Sequence, residues 1–170
     1  MIGSMSLMDG KKLAEKLKIS LKTEFSAIKK KITLAIIQVG EHPVSQKFIE
    51  QKRKLGEELG VVTKLYSYPQ TISGTELRKN ISKIVHDQKI SGIIVQLPLP
   101  KNLQSQDVLN AVMPLKDVDV LSARSVGDYN VGKSKIVPPV VGAVQALFRE
   151  YSIDYSGKNI IVVGAGMLVG

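Results

Sequence analysis

Three short apolar runs rich in β-branched residues, separated by helical patterns, constrain the fold of this chain more than any other feature. The runs are predicted strands, and the stretches between them repeat apolar residues at helical spacing. Such alternation, with short connections, predicts right-handed crossovers between parallel strands. We therefore expect an α/β fold, a three-layer, mainly parallel sheet with helices on both faces. The predicted strands span residues 32–39, 61–68 and 92–96, and the predicted helices between them span 44–59 and the segment capped by Ser73.

Further helical patterns flank this alternation. Asp9 can cap a helix with apolar residues every three or four positions as far as Ile28, and the three lysines at 29–31 suit its C-terminal dipole. We expect a short helix over residues 105–113, an irregular stretch from 120 through 135, and a helix opened by Pro138 and Pro139. The inward side of this last helix is predicted to carry Val141, Val144, Leu147, Phe148 and Tyr151.

Composition limits the classes of function. A chain of 170 residues suffices for one ordinary domain, or for one domain and part of another. No apolar run approaches the roughly 20 residues that span a bilayer, and no secretion signal opens the chain, so we expect no membrane partner and a cytoplasmic location. With no cysteine and two separated histidines, we expect no metal site. The net charge of +9 admits anionic partners without choosing among them.

The stretch from 92 to 100 places a polar side chain where an α/β sheet binds ligands. Its apolar residues predict a strand covered on both faces, and Pro98 and Pro100 cannot join a strand ladder, so the strand is expected to end at Gln96. Ligands of open α/β sheets bind at the carboxyl ends of the strands, which would put the Gln96 amide in a crevice floored by a stiff Leu-Pro-Leu-Pro loop. The alternative is a capping glutamine beside a rigid turn.

Lys52 falls on the apolar side of its predicted helix. At about 100° per residue it lies within an arc of roughly 80° that also holds Val44, Phe48, Leu55 and Leu59. A lysine on such a stripe often extends its ammonium back to water while its stem packs. The functional alternative is a lysine whose pKa is lowered by desolvation and which transfers protons or polarises a reacting group, with Gln96 as its neutral partner.

Two further motifs can be interpreted either as ligand-binding groups or as ordinary structural features. Asp117 and Asp119 stand two apart in a segment predicted to be extended, so at most one of them enters the crevice. A buried carboxylate there would hold a flat, amidine-like heterocycle, and the alternative is a turn-forming pair. The glycines of Gly164-Ala165-Gly166 follow a predicted strand over 159–163 and match the start of a dinucleotide fingerprint, which is a weak signal alone.

Four segments together resemble the bifunctional methylenetetrahydrofolate dehydrogenase/cyclohydrolase family. They are residues 45–52, 95–100 (Val-Gln-Leu-Pro-Leu-Pro), 116–119 (Lys-Asp-Val-Asp), and the Gly157-Lys158 pair before an apolar run and a glycine loop. The resemblance implies a folate-binding catalytic domain over 1–137, a linker helix over 138–156, and the first strand and glycine loop of a truncated Rossmann domain over 157–170. It also implies a homodimer when the protein is full length.

The resemblance implies roles for individual residues. Lys52, Gln96 and Asp119 match the family's catalytic lysine, its supporting glutamine and the aspartate that holds the pterin ring. Tetrahydrofolate derivatives would be bound by Phe48, Leu97, Pro98, Leu99 and Asp119, and NADP or NAD by Gly164, Ala165, Gly166 and Val169. The implied activity is NAD(P)-dependent oxidation of methylenetetrahydrofolate and hydrolysis of the methenyl product to 10-formyltetrahydrofolate, in one-carbon metabolism.

The chain departs from the family pattern at several of these places. Phe48 replaces a tyrosine, and Val120 replaces a glycine whose positive φ a β-branched residue is not expected to adopt. Ser125 replaces a common asparagine, and a threonine is missing from the segment 138–141. The glycine loop lacks an arginine, which weakens the case for a 2′-phosphate.

Two other functions stay open on the sequence. The departures are compatible with a folate-binding or regulatory protein that does not turn its ligand over. A basic nucleic-acid-binding module is suggested by charge alone, and with 5% aromatic residues and no reader motif we expect no nucleic acid partner. We also expect residues 157–170 to be mobile or to pack on another chain, and nucleotide binding by this chain to be negligible.

Overall fold

The structure is a computed structural model that describes residues 7–164 and 166. This part of the chain forms six helices and three strands, and strands and helices alternate as predicted over residues 10–109. None of its helices is both long and apolar enough to cross a membrane. The elements are α1 Gly10–Ser26, β1 Thr33–Val39, α2 Pro43–Leu59, β2 Val62–Tyr68, α3 Gly74–His86, β3 Gly92–Val95, α4 Ser105–Leu109, α5 Ala123–Asn130 and α6 Pro139–Glu150.

The three strands form one parallel sheet in the order β2-β1-β3. The central strand β1 aligns Ile36 with Leu65 of β2 and with Ile94 of β3. Because β1 is paired on both edges and covered on both faces, Ile36 and Ile37 are completely buried. The predicted α/β fold with a parallel sheet is confirmed.

Helices cover the two faces of the sheet unequally. One face packs Ile37 and Ile93 against apolar residues of α3 and α4, including Leu77 and Val108, and forms the larger core. On the other face Ile36 and Ile94 pack against Ile49 of α2. The smaller second core leaves room beside α2 at the carboxyl ends of the strands.

Two helix boundaries differ from the prediction. Helix α1 ends at Ser26, before Ile28 and the three lysines. At this end the Ser26 hydroxyl donates to the Thr23 carbonyl, and the Ala27 N–H donates to the Glu24 carbonyl. Ile28 is consequently exposed. Helix α4 ends at Leu109, four residues before the predicted end at 113, and Met113 is exposed.

Helix α5 was not predicted, because the stretch 120–135 was expected to be irregular. Its start is capped by Ser122, whose Oγ accepts a hydrogen bond from the Ser125 amide at 3.2 Å. The predicted helix α6 is present, but its expected inward face is only partly covered. Val141 and Val144 are 37% and 42% exposed, whereas Leu147 and Phe148 are half-buried. Helix α6 packs against α1, through the Lys16–Glu150 ion pair and the Tyr151 hydroxyl, which leaves its other sides open.

The predicted strand over 159–163 is wrong. Residues 158–164 have no regular secondary structure, and Ile161 and Val163 are 88% and 95% exposed. A strand needs a neighbour for its backbone hydrogen bonds, and no strand of the described residues lies beside this run. Gly164 and Gly166 follow in the same irregular segment, whereas Ala165 and Val169 lie outside the described residues.

Candidate functional site

Lys52 of α2 and Gln96, at the carboxyl end of β3, meet in one site. The Lys52 ammonium donates a hydrogen bond of 3.0 Å to Gln96 Oε1. Gln96 itself is fixed twice: its backbone N–H donates to the Ile37 carbonyl at 2.8 Å, and its side-chain Nε2 donates to the Leu97 carbonyl at 2.9 Å. Because Nε2 is used in this way, Oε1 is the atom that faces Lys52. This geometry favours the functional reading of Lys52 over a lysine extended to water.

Ser45 supports the same corner and was not singled out from the sequence. It is buried, and its hydroxyl donates to the Leu97 carbonyl at 3.4 Å. Ser45, Phe48 and Lys52 are spaced i, i+3 and i+7 along α2, so they share a helix face. That spacing was the signal in the sequence that could have identified it.

The two aspartates separate as expected, although for a different reason. Only Asp119 lines the cavity, while Asp117 is buried and accepts hydrogen bonds from the backbone N–H groups of Leu121 and Ser122 at 3.2 and 2.9 Å. The segment is a turn with a single bridge between Asp117 and Ile93, and not the extended segment that was predicted. The turn, and not strand alternation, sends the two carboxylates in different directions.

Val120 adopts the conformation that it was expected to avoid. Its φ is +56°, in the left-handed region, and its side chain is buried beside the cavity. A β-branched residue there is a genuine outlier. The valine therefore keeps the backbone shape that the family resemblance associates with glycine, at a cost in strain.

Burial shifts the pKa values of the two ionisable groups in opposite directions. Desolvation lowers the pKa of Lys52 below its ordinary value, and the nearby Asp119 carboxylate partly opposes that shift. Desolvation also raises the pKa of Asp119, against the effect of Lys52. The pair makes no direct ion pair in the described part of the chain. The site thus holds a lysine that gives up its proton more readily and a carboxylate that keeps one more readily.

These residues line one cavity of about 640 Å³, which we call the α2–β3 cavity. Phe48 stands at its wall and is 52% exposed, and Leu97 and Pro98 also line it. Leu99 does not: the chain bends at Leu97, and Leu99 packs against the larger core instead. The structure therefore places Leu99 away from the α2–β3 cavity, and its contact with a ligand stays a prediction.

The sequence did not identify several other residues around the α2–β3 cavity. His42 lies at the start of α2, and Gln106 of α4 donates a hydrogen bond of 3.2 Å to the Leu121 carbonyl. The start of α6, at Pro138 and Pro139, closes another side. The glycines of the C-terminal segment are not among the lining residues, so the two predicted ligand sites are not brought together in the described chain.

A family model described as "Tetrahydrofolate dehydrogenase/cyclohydrolase, catalytic domain" matches residues 8–119. That range contains β1 to β3 and all three of Lys52, Gln96 and Asp119. This chain belongs to that family. The resemblance noted from the sequence motifs is confirmed.

Relatives with names and structures agree with the tetrahydrofolate dehydrogenase/cyclohydrolase assignment. The chain is 38% identical over 169 residues to the bifunctional protein FolD of Nautilia profundicola, covering 98% of this chain and 60% of that protein. The crystal structure of the bifunctional FolD enzyme, a methylenetetrahydrofolate dehydrogenase/cyclohydrolase, from Campylobacter jejuni superposes with a TM-score of 0.91 at 34% identity, over 98% of this chain and 61% of that one.

A third relative was solved with its ligands. The Trypanosoma brucei methylenetetrahydrofolate dehydrogenase-cyclohydrolase, complexed with NADP cofactor and an inhibitor, gives a TM-score of 0.89 at 26% identity, over 97% of this chain and 58% of that one. This chain therefore spans about three fifths of the length of the relatives that it matches.

Proposed function

We propose that this chain supplies the folate site of a methylenetetrahydrofolate dehydrogenase/methenyltetrahydrofolate cyclohydrolase. The hydrogen bond between Lys52 and Gln96 in a partly buried cavity, with Asp119 close by, is the observation that supports it most. We propose residues 1–137 as the folate-binding domain, 138–156 as a linker and 157–170 as the start of a dinucleotide-binding domain. A cytoplasmic homodimer of the full-length protein remains a prediction.

Asp119 and Phe48 suit the flat ring of a reduced folate. A carboxylate can accept two parallel hydrogen bonds from the neighbouring ring and exocyclic N–H groups of a pterin. The half-exposed Phe48 ring offers a stacking surface at the cavity wall. Together they would fix the position of the one-carbon unit relative to Lys52.

Lys52 is the proposed proton-transfer group of the hydrolytic step. Water adds to the methenyl carbon and loses a proton, which gives a neutral hydroxyl intermediate. The bond from that carbon to N5 then breaks as N5 gains a proton and the hydroxyl loses its own to become the formyl C=O, so that one proton is released overall. A lysine with a lowered pKa is better able to accept and return that proton near neutral pH. The methenyl substrate is itself a cation, so its binding lowers the Lys52 pKa further.

The residues described after Gly157 do not by themselves form a dinucleotide site. A pyrophosphate site needs a strand, a glycine turn and a helix N-terminus, and residues 158–164 and 166 form none of these. Hydride transfer to NAD or NADP therefore requires groups that the described residues do not supply. The folate chemistry belongs to the earlier part of the chain.

Replacing Lys52 tests this function. In Lys52→Met we expect the rate of methenyltetrahydrofolate hydrolysis to fall by at least about a hundredfold, which is the scale of general acid-base catalysis. The rate is measured as the loss of the absorbance of the methenyl compound. Lys54→Met is the matched control, because Lys54 is an exposed lysine on the same helix, and we expect it to keep the wild-type rate. Equal rates in the two variants would contradict the assignment of Lys52.

A folate-binding protein without turnover is the second candidate. It is favoured by Phe48, which offers its ring to the α2–β3 cavity but lacks the hydroxyl of a tyrosine. The same assay separates the two functions when it is paired with a binding measurement. Tight binding of 5-formyltetrahydrofolate without any hydrolysis of the methenyl compound would support this candidate.

A further inference from the structure

Val120 is held in a strained conformation at the edge of the α2–β3 cavity. Its φ of +56° is one that glycine adopts freely and β-branched residues rarely do. It is almost completely buried, so its side chain cannot swing into solvent to relieve the strain. Strain of this kind persists only where the surrounding structure determines the backbone. The contacts that hold Val120 are therefore expected to lie close to it.

The Asp117 carboxylate makes those contacts. It accepts hydrogen bonds from the N–H groups of Leu121 and Ser122, the two residues that follow Val120, at 3.2 and 2.9 Å. The N–H of Val120 itself donates to the Asp117 carbonyl at 3.3 Å. Asp117 thus holds the N–H of Val120 through its main-chain carbonyl and the N–H groups of the next two residues through its carboxylate. In the described part of the chain it has no ion-pair partner, so backbone N–H groups are its polar contacts.

Hydrogen bonds to α3 and β3 hold Lys116, at the start of this turn. The Lys116 ammonium donates to the carbonyls of Val85 and Asp87 at the end of α3, at 2.6 and 2.8 Å. The Lys116 carbonyl accepts the N–H of Ile93 in β3 at 2.7 Å. A Cβ at Gly92 would lie 2.7 Å from Val118, so the turn also lies directly against β3. These contacts fix the first residues of the turn, and Asp117 fixes the last.

Asp119 lies between the two fixed ends, immediately before Val120. We propose that Asp117 is a positioning residue that holds Val120 in the left-handed region and so aims the Asp119 carboxylate into the α2–β3 cavity. This rests on the proposed function only for the ligand that Asp119 receives. A glycine at position 120 reaches the same φ without help, so a chain with glycine there depends less on Asp117.

A pair of substitutions tests this dependence. Asp117→Asn keeps the shape of the side chain but removes its negative charge and replaces one of the two oxygens that the Leu121 N–H contacts by an NH₂ donor, so it weakens these charge-assisted hydrogen bonds. We expect it to weaken binding of 5-formyltetrahydrofolate to the chain, measured by calorimetry, by about tenfold. Adding Val120→Gly should restore the affinity to within about threefold of wild type, and Val120→Gly alone should stay within that range. The control is Val131→Gly, which changes an exposed valine just after α5 to glycine. Added to Asp117→Asn, it should not restore the affinity.

A measurement without ligand separates this proposal from the proposed function. Asp119 raises the Lys52 pKa, so a carboxylate that swings away should lower the pKa obtained by NMR titration of the Lys52 side chain. We expect the Lys52 pKa to fall in Asp117→Asn, to fall by as much or more in Asp119→Asn, and to recover in Asp117→Asn/Val120→Gly. If the wild-type chain binds no folate, the proposed function fails, and the titration still decides the role of Asp117.

Three results would overturn the role of Asp117. They are an unchanged Lys52 titration in Asp117→Asn, a double variant that folds but recovers neither the titration nor the affinity, and a loss of folding in Asp117→Asn that Val120→Gly does not repair. The last would mean that Asp117 stabilises the fold through contacts unrelated to Val120.

Discussion

Two apolar, β-branched runs in this chain have opposite structures. Residues 92–95 form β3, in which Ile93 and Ile94 are 1% and 6% exposed, whereas Val162 and Val163 of the similar run at 159–163 are 70% and 95% exposed. The first run pairs with β1 and bridges to Asp117, and the second has no strand beside it among the described residues. A run of β-branched residues thus becomes a strand only where a partner satisfies its backbone.

The same contrast separates the two predicted ligand sites. Every group proposed for folate belongs to α2, to the end of β3 or to the turn anchored on β3, and hydrogen bonds fix Gln96 and the turn. The groups predicted for a dinucleotide belong to a segment without such anchors in the described chain. Among the described residues the α2–β3 cavity is therefore self-contained, in the sense that it takes no lining group from that segment, and the predictions below test that independence.

The largest expected effect is on stability. Ile93→Ala should lower the free energy of unfolding by about 2–5 kcal/mol, because it leaves a cavity in the larger core. Ile161→Ala removes the same atoms from an exposed side chain and should change it by less than about 0.5 kcal/mol. Urea unfolding of both variants gives the comparison, and similar losses in the two would show that the second run is buried after all.

Phe48 should have an intermediate effect, confined to binding. If its ring stacks on the folate, Phe48→Ala should weaken the binding of 5-formyltetrahydrofolate by about 1–3 kcal/mol, by analogy with bases on aromatic rings. Phe48→Tyr keeps the ring and should match the wild type or improve on it. Calorimetric titration measures both, and an alanine variant with wild-type affinity would leave Phe48 no role in the site.

The smallest effect is a pH dependence carried by Asp119. Burial raises its pKa above the ordinary 3.8, so between 3.8 and the raised value the folded chain binds more protons than the unfolded chain. The free energy of unfolding that Asp119 contributes should therefore fall as pH rises through that window. Urea unfolding of wild type and Asp119→Asn from about pH 4 to about pH 7 shows it as a shrinking advantage of the wild type. An advantage that grows with pH would mean that Asp119 is stabilised as a carboxylate.

The sequence predicted the parts of the site that follow from periodicity. Lys52 was found because it lies on the apolar face of a regular helix, and Gln96 because prolines end its strand. Strand alternation predicted that at most one of Asp117 and Asp119 enters the crevice, and the family resemblance selected Asp119, but the structure sets its direction through a turn that depends on Asp117 and Val120. No local pattern indicates a valine at positive φ, because the residues that hold it there act through the tertiary fold.

The parts where the structure differs from the prediction depend on neighbours in space. The strand at 159–163 needed a partner that its own residues do not reveal, and the open sides of α6 depend on what packs against them. Leu99 was assigned to the site by its place in a motif, but a bend in the chain directs it to the larger core. Helix α5 was missed although Ser122 is a suitable cap, because the sequence around it lacks a continuous apolar stripe.

The most direct test is to titrate the chain calorimetrically with 5-formyltetrahydrofolate, NAD and NADP under the same conditions. A self-contained α2–β3 cavity predicts binding of the folate that is lost in Asp119→Asn, together with negligible binding of either dinucleotide. Absence of folate binding, or micromolar binding of NAD or NADP, would contradict it.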